Sequence, residues 1–333
     1  MQEITKPDDL TPAPLARYVW IVLAILAVFV YFFGLTIPFL GPDEARYAQV
    51  GREMLDRGDW VTPTLGGFNW FEKPALLYWL EIVSYKLFGI NEFAARFGPA
   101  LFGLGTVACL WILGKTVESR ESETTSIEQS PTNGFAHYLA LIAASTLGII
   151  VFSHGASFDI IITFPVTAAL VSFFIWHSKH ERRHVVAVRS RVSASLFSFY
   201  FFIGIALLAK GLIGIVFPFA IIGVFYLLSR RQPSRTFICS SVWGTLLALA
   251  IAAIWYLPMY QRHGYGFIDE FFIQHHFQRF TSNKYQHPQP FYFFLWVLPL
   301  MTLPWLPFFL AAIWKLCKRF FHRRDAERQS KSK

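Results

Sequence analysis

Residues 35–60 read LTIPFLGPDEARYAQVGREMLDRGDW, and they contain the first transition in the chain from an apolar run to charged side chains. An apolar run ends there, and Asp43 and Glu44 follow it directly after a Gly-Pro pair. Apolar side chains then recur on one helical stripe, which predicts an amphipathic helix with its apolar face inward. The stripe consists of Tyr47, Val50 and Met54. The role of the paired acids therefore depends on which side of a membrane they face.

The composition is that of a membrane protein. Of the 333 residues, 54% are hydrophobic and only 15% are charged, and the mean hydropathy is +0.42. A soluble domain usually has about a quarter of its residues charged. The net charge of +9 does not indicate nucleic acid as a partner, because the basic residues lie between long apolar runs. Cys109, Cys239 and Cys317 lack metal or disulfide spacing and are interpreted as packing residues.

Eight apolar runs predict an all-α polytopic membrane protein, each close to the about 20 residues that cross a bilayer. The first, 18–40, is too long for a signal-peptide core and lacks a cleavage site, which predicts an uncleaved anchor. The others are 97–114, 135–152, 158–177, 194–209, 211–229, 237–258 and 291–314. We expect an N-terminal tail (1–17), a membrane domain (18–314) and a basic tail (315–333).

Basic residues mark one side of this bundle as cytoplasmic. The segment 177–191 holds five Lys or Arg against one acid, 229–235 holds three against none, and 315–333 holds eight against two. By the positive-inside rule these segments and both termini lie in the cytoplasm. The external side then receives the long segments 41–96 and 261–290 and two short turns, SHGAS and AKG. All the chemically suggestive side chains fall on this external side.

Two carboxylates lie at the external ends of apolar runs. Asp43 is predicted either to cap the following helix or, because it is desolvated at the membrane rim, to act as a general base. Asp159 follows SHGAS and opens an apolar run, where an acid is costly enough to indicate function. Its alternative role is helix capping, with Ser157 as a competing cap.

Two lysines lie on the same side. Lys73 is next to Glu72 in NWFEKP, so the two form either a surface ion pair or a site where Lys73 faces a phosphate at headgroup depth. Lys210 ends an apolar run, and its alternatives are a functional cation or a side chain that snorkels to the interface.

The histidines of segment 261–290 do not have metal-ligand spacing. His275 and His276 are adjacent and cannot lie on one helical face, and no His-x-x-x-His pair or Cys pair accompanies them. A hydrogen-bonding or substrate-positioning histidine is favoured over a divalent metal site. The chain also lacks GxGxxG and GxxxxGK[ST], so the sequence indicates no nucleotide-phosphate site.

Three ordered blocks of segment 41–96 resemble the first external loop of a family of membrane glycosyltransferases. The family pattern is D-E-x-R-Y, then G-D-W-x-x-P, then F-E-K-P-P-L-x-Y-W. Here the blocks read DEARY (43–47), GDWVTP (58–63) and FEKPAL (71–76), with Ala75 in place of the second proline. LLAKGLIG and HFQRF are further matches. The chain resembles the lipid A aminoarabinose transferases and, more distantly, protein O-mannosyltransferases, both of the GT-C superfamily.

The resemblance implies a GT-C-type bundle of about eight transmembrane helices and inverting transfer from a polyprenyl-phosphate sugar, without a required cofactor. Asp43 matches the essential acid at the outer leaflet, and Asp159 lies where the second acidic position is expected. Arg46, Lys73 and Lys210 match groups that hold the donor phosphate.

The resemblance also implies a substrate cavity lined by Glu44, Tyr47 and Glu72, with His276 beside it. The expected acceptor is lipid A, a glycan or a protein on the external face of a bacterial inner membrane. Family members usually have further spans and often an external C-terminal domain, so we expect a short member, truncated relative to them. Two alternatives remain open: a non-catalytic lipid-binding or accessory protein on the same scaffold, and a transporter.

Overall fold

The computed structural model is almost entirely helical and describes residues 14–124, 134–183, 192–278, 290 and 292–331. The helices are α1 (Pro14–Phe32), α2 (Pro42–Arg57), α3 (Leu76–Phe88), α4 (Glu92–Thr124), α5 (Phe135–Ser145), α6 (Leu147–Ser153), α7 (Phe158–Arg183), α8 (Val192–Lys210), α9 (Ile213–Ser229), α10 (Arg235–Phe267), α11 (Ile268–Gln278, wound as a π-helix), α12 (Phe293–Met301) and α13 (Leu306–Lys331). Strands β1 (Thr64–Leu65) and β2 (Phe68–Asn69) pair antiparallel. The predicted all-α class is confirmed.

The long apolar helices fall where the sequence predicts membrane spans. Within the described residues, α4, α7 and the adjoining α10 and α11 each hold a segment long and apolar enough to cross a bilayer, although the backbone is non-helical at Gly264. Two bent pairs, α5–α6 and α12–α13, raise the number to five if each pair is one span. Shorter apolar segments lie in α1, α8 and α9. A helix suits this solvent because it satisfies its backbone hydrogen bonds internally.

The two bent pairs contact each other where each one breaks. α5 and α6 are bent by 57° and α12 and α13 by 117°. The Leu147 N–H donates to the Leu303 carbonyl at 2.8 Å, and the Trp305 indole N–H donates to the Ser145 hydroxyl at 3.0 Å. The predicted span 291–314 is therefore not one straight crossing. Pro304 lies in the break and cannot donate a backbone hydrogen bond, so the helix does not continue through it.

The segment between α1 and α4 folds as two short helices joined by a β-hairpin. Pro42 is the first residue of α2, and Gly58 ends that helix with φ +62°. Gly66 and Gly67 form the hairpin turn with φ +61° and +82°, a conformation that other residues rarely adopt. The Glu53 carboxylate accepts hydrogen bonds from both of these glycine N–H groups and from the Thr64 hydroxyl. The hairpin is thereby fixed against α2.

The apolar stripe of α2 packs inside the protein. Tyr47, Val50 and Met54 are buried in one cluster with residues of α3 and α7. The Tyr85 hydroxyl of α3 also donates to the Ala48 carbonyl of α2 at 3.1 Å. The amphipathic helix predicted after Asp43 is thus confirmed, and its packing holds the first turn of α2 beside the start of α7.

Candidate active site

Asp43 lies in the first turn of α2 and is open to solvent. Its side chain is 70% exposed, and it accepts a hydrogen bond from Arg46 at 2.8 Å. Gly41 is the N-cap residue of this helix, and no side chain caps it. The capping role considered for Asp43 is therefore not found. The desolvation expected of Asp43 is not found either. Among the described residues, one of its two oxygens has a hydrogen-bond partner.

Charges from three elements surround the Tyr47 hydroxyl. Burial raises the pKa of Tyr47 most, and the carboxylates of Glu72 and Asp43 raise it further, with Asp159 adding to them and Arg46 opposing them. Side-chain charges act on a hydroxyl in this way only at close range in a partly desolvated site. Tyr47 therefore marks the point where α2, the segment after β2 and α7 converge.

Asp159 and Lys210 form an ion pair between the start of α7 and the end of α8. The Ser157 hydroxyl accepts a hydrogen bond from the Asp159 N–H and donates one to the Asp159 carboxylate, each at 3.2 Å. Ser157 thus caps the start of α7, as its competing assignment predicted. The Asp159 side chain is 48% exposed, so it remains accessible while it holds Lys210.

Glu72 and Lys73 form a largely buried pair with an N–O distance of 2.8 Å. Burial raises the pKa of the Glu72 carboxyl, but Lys73, and more weakly His275 and Arg46, lower it below its ordinary value. The pair is therefore not a solvated surface ion pair, the alternative that the sequence left open. Its lysine places a second cation beside the group around Tyr47.

Trp70 was not predicted as a site residue, although it stands next to the Phe71–Glu72–Lys73 block. Its ring lies 5.6 Å from the Arg46 guanidinium, a cation–π contact, and its backbone N–H donates to the Pro63 carbonyl at 2.9 Å. The hairpin therefore carries an aromatic platform under Arg46. No periodicity in the sequence identifies this contact, because it depends on how the hairpin returns to α2.

Glu44 was predicted to line the cavity, and the structure instead binds both of its oxygens within the protein. Arg96 donates to them at 2.6 and 3.0 Å, and the N–H groups of Leu40 and Ala156 donate at 3.0 Å each. Burial raises the pKa of Glu44, but these donors together lower it below its ordinary value. Arg96 was missed, although an arginine at the mouth of an apolar run is the same signal that identified Asp159.

The histidines of segment 261–290 are only partly described. His263 hydrogen-bonds with the Thr62 hydroxyl at 2.9 Å, and its ring packs 4.9 Å from that of Phe71. The backbone of His276 lies in α11, and its side chain falls outside the described part of the chain, as does the side chain of Arg279 in HFQRF. In the described residues no three His, Cys, Asp or Glu side chains form a group able to hold a metal ion.

Comparison with known proteins gives the family. The profile described as dolichyl-phosphate-mannose-protein mannosyltransferase matches residues 20–264. The chain belongs to this mannosyltransferase family. The predicted GT-C fold and family resemblance are thus confirmed, and the chain is a multi-pass membrane protein.

Individual relatives of this mannosyltransferase-family chain carry names that refer to a lipid-linked sugar. The present chain is 31% identical over 279 residues to the undecaprenyl phosphate-alpha-4-amino-4-deoxy-L-arabinose arabinosyl transferase of Aeromonas salmonicida. The match covers 84% of this chain and 47% of the relative. The corresponding transferase of Shewanella sediminis is 30% identical, with 81% of this chain and 45% of the relative covered.

A solved structure resembles this one closely. ArnT from Cupriavidus metallidurans bound to undecaprenyl phosphate superposes with a TM-score of 0.73 at 26% identity, with 91% of this chain and 51% of that chain covered. The apo form of the same protein gives a TM-score of 0.71. The chain thus spans about half the length of the relatives that it matches.

Proposed function

We propose that this chain is an integral membrane glycosyltransferase that moves a sugar from a polyprenyl-phosphate donor to an external acceptor. The observation that carries the proposal is that three carboxylates act on Tyr47, those of Asp43, Glu72 and Asp159, and that each of them is paired with a cation. The cations are Arg46, Lys73 and Lys210. Three cations held by carboxylates, beside an exposed carboxylate that can act as a base, suit a reaction whose leaving group is a phosphate.

In the proposed reaction the oxygen of the acceptor hydroxyl attacks the anomeric carbon of the sugar, and Asp43 accepts the proton that this hydroxyl loses. The bond between that carbon and the phosphate oxygen breaks, and polyprenyl phosphate leaves with the bonding electrons. Arg46, Lys73 and Lys210 stabilise the negative charge that develops on the phosphate. Such electrostatic stabilisation of the transition state is commonly the largest single contribution to the rate of an enzyme. Asp159 holds Lys210 in position, and attack opposite the leaving group inverts the anomeric configuration.

The donor class rests on the relatives. Undecaprenyl phosphate appears in the names of the arabinosyl transferases and in the description of the ArnT complex, and 26% of residues are identical to that ArnT. We extend this donor class to the present chain, with lipid A, a glycan or a protein as acceptor. The proposed location is the bacterial inner membrane, with both termini in the cytoplasm and Asp43 on the external side.

A transfer assay tests the reaction. The purified chain in nanodiscs receives undecaprenyl-phosphate aminoarabinose or polyprenyl-phosphate mannose, with lipid A or a peptide as acceptor, and product mass is measured. Wild-type transfer that is lost in Asp43→Asn supports the proposal. No transfer from either donor, or equal transfer by Asp43→Asn, overturns it.

A deletion strain distinguishes the alternatives in cells. Mass spectra of lipid A, surface glycans and exported proteins should lose a sugar mass that wild-type protein restores and Asp43→Asn does not. Unchanged masses with Asp43→Asn would favour an accessory protein, and altered solute flux with unchanged masses would favour a transporter. The orientation is tested with a cysteine introduced at position 43. A membrane-impermeant thiol reagent added from the external side should label it, and labelling only from the cytoplasm contradicts the orientation.

A further inference from the structure

Glu44 and Arg96 form a two-pronged ion pair in the interior of the protein. Arg96, on the first turns of α4, is 1% exposed, and Glu44 is 12% exposed. Nε of Arg96 lies 2.6 Å from Oε1 of Glu44, and Nη2 lies 3.0 Å from Oε2. Such fork-to-fork pairing fixes orientation as well as distance. The pair does not contact the cations of the candidate site, so its role lies in what else it holds.

The remaining hydrogen bonds of this pair join four segments. Arg96 also donates to the carbonyls of Leu35 and Ile37, and to that of Pro38 at 3.2 Å, which ties α4 to the chain leaving α1. Glu44 also accepts from the Ala156 N–H at 3.0 Å, which ties α2 to the turn before α7. α1, α2, α4 and that turn therefore meet at one buried ion pair.

The turn before α7 is held from its other end as well. One ring nitrogen of His154 lies 3.0 Å from the Val30 carbonyl of α1, and the other lies 2.8 Å from the Ile150 carbonyl of α6. The turn is thus anchored on α1 at His154 and on α2 at Ala156, and Asp159 follows in the first turn of α7.

We propose that the Glu44–Arg96 pair positions the two carboxylates of the active site relative to each other. Asp43 is the residue next to Glu44, and Asp159 lies three residues after the N–H group that Glu44 binds. The pair therefore sets the separation between the base on α2 and the acid–lysine pair of α7 and α8. This inference rests on the proposed function, and it makes Glu44 and Arg96 positioning residues because neither touches the reacting atoms.

The expected consequence is a loss of turnover with little loss of donor binding. A displacement of about 1 Å between reacting groups costs about 10²-fold in rate. The donor phosphate is held by Arg46, Lys73 and Lys210, none of which hydrogen-bonds to the pair. Variants of the pair should thus lower kcat and leave donor affinity almost unchanged. Because a smaller fraction of folded enzyme also lowers the apparent kcat at constant KM, kcat is expressed per donor-binding site, titrated with undecaprenyl phosphate.

The test uses two mild variants in the full chain in nanodiscs. Arg96→Lys keeps the charge and loses the fork, and Glu44→Asp keeps the charge and shortens the reach by one methylene. We expect kcat to fall by about 10²-fold in each, with the donor KM and the affinity for undecaprenyl phosphate within about threefold of wild type. Unchanged kcat in a folded variant overturns the proposal, as does a loss of donor affinity equal to the loss of kcat.

Glu118→Gln is the matched control. Glu118 also binds two backbone N–H groups, those of Gly134 and Ala136, but it lies roughly 33 Å further along α4 at the helical rise. Its variant should lower the melting temperature and leave kcat unchanged. An equal fall of kcat in this control overturns the positioning role, because any loosening of α4 would then suffice. Failure of wild-type transfer contradicts the proposed function instead, and the two failures are distinguishable.

Discussion

Glu44 and Glu81 are both buried carboxylates facing the interior of the external segment, and their surroundings are opposite. Glu44 accepts from Arg96 and two backbone N–H groups. Glu81, on α3, is 0% exposed, and neither of its oxygens has a hydrogen-bond partner among the described residues. Burial raises the pKa of each, yet that of Glu44 ends below its ordinary value and that of Glu81 well above it. Hydrogen-bond donors, more than depth, decide which buried acid carries a charge.

Asp43 is a third carboxylate, and its surroundings differ from those of both Glu44 and Glu81. It is exposed and adjacent to Glu44, and it has one arginine partner among the described residues. The acid that faces substrate in the proposed function is therefore separate from the two acids that lie in the interior. The variants below test this division of roles, in order of expected effect.

Asp43→Asn should have the largest effect on transfer. A positioned general base contributes about 10²–10⁴-fold to a rate, so we expect a loss of that size. Stability should change by less than about 1 kcal/mol, because an exposed ion pair contributes little. Transfer kinetics and thermal unfolding measure the two quantities on the same preparation.

Asp56→Asn is the control for this variant. Asp56 lies on the same helix, is 56% exposed and pairs with Arg52, so it matches Asp43 in setting but not in place. Its transfer rate should equal that of wild type. Equal losses in the two variants would show that charge on α2 matters generally and that Asp43 has no distinct role.

Arg96→Ala should have the largest effect on stability. Removal of one partner from a buried ion pair leaves an uncompensated charge and costs about 3–5 kcal/mol. Glu44 also keeps two backbone donors, so the loss should fall at the lower end of that range. Chemical denaturation of the detergent-solubilised chain measures it. A change as small as that of the exposed Arg52→Ala would show that the pair is hydrated in solution.

Much of this division follows from the sequence, and the reasons for the rest are specific. Counting Lys and Arg between apolar runs grouped Asp43, Lys73, Asp159 and Lys210. In the structure Asp43 and Asp159 act on Tyr47, and the two lysines pair with carboxylates that do so. Side chains at the ends of spans on one side must lie near one membrane surface, so topology alone limits their separation. That argument requires no knowledge of which helices touch.

The partners of buried groups could not be predicted in this way. Arg96 and Glu44 are 52 residues apart, and their contact depends on the depth at which α4 starts relative to α2. Glu81 lies on α3, and the sequence does not show that its side chain meets α2. The break in 291–314 was missed because hydropathy counts apolar residues and does not register that a proline interrupts the helix.

The stability of the wild-type chain should fall with rising pH because of Glu81. A raised pKa means that the folded chain keeps a proton that the unfolded chain releases above its ordinary pKa of 4.5. In that range the free energy of unfolding decreases by up to about 1.4 kcal/mol per pH unit, until the pKa of the folded state is reached. Glu81→Gln should lack this slope.

The titratable groups that face Glu81 provide the control. Glu44 of α2 raises the pKa of Glu81, and Glu81 in turn raises the pKa of Tyr78 and Tyr85 on its own helix. The lowered pKa of Glu44 gives stability that is lost as pH falls, so the contribution of Glu44 to the pH dependence is opposite to that of Glu81. Glu44→Gln should therefore remove a loss of stability at low pH, whereas Glu81→Gln removes a loss at high pH. Unfolding curves of wild type and Glu81→Gln that stay parallel from pH 5 to pH 8, to within about 0.5 kcal/mol, would contradict a neutral Glu81.

The smallest effect concerns the contact between Glu81 and Gly51. A Cβ atom added at residue 51 would lie 2.3 Å from Oε2 of Glu81 and 3.0 Å from its Cβ, so the buried Glu81 side chain would have to shift to admit a methyl group. Gly51→Ala should therefore destabilise the chain by about 1–3 kcal/mol through overpacking. In a Glu81→Gly background, which removes both contacting atoms, the same change has room and should stabilise by up to about 1 kcal/mol, the helix preference of alanine.

This reversal of sign is the informative result, because it separates the contact from the general effect of a methyl group on a helix. Gly223→Ala on α9 supplies the reference, since no described atom lies within 4 Å of its added Cβ. If Gly51→Ala behaves like Gly223→Ala in both backgrounds, the Glu81 carboxyl does not press on α2. Solvent would then reach the Glu81 carboxyl, and Glu81 would not be held neutral. The contrast with the charged Glu44, and the predicted fall of stability with rising pH, would both be contradicted.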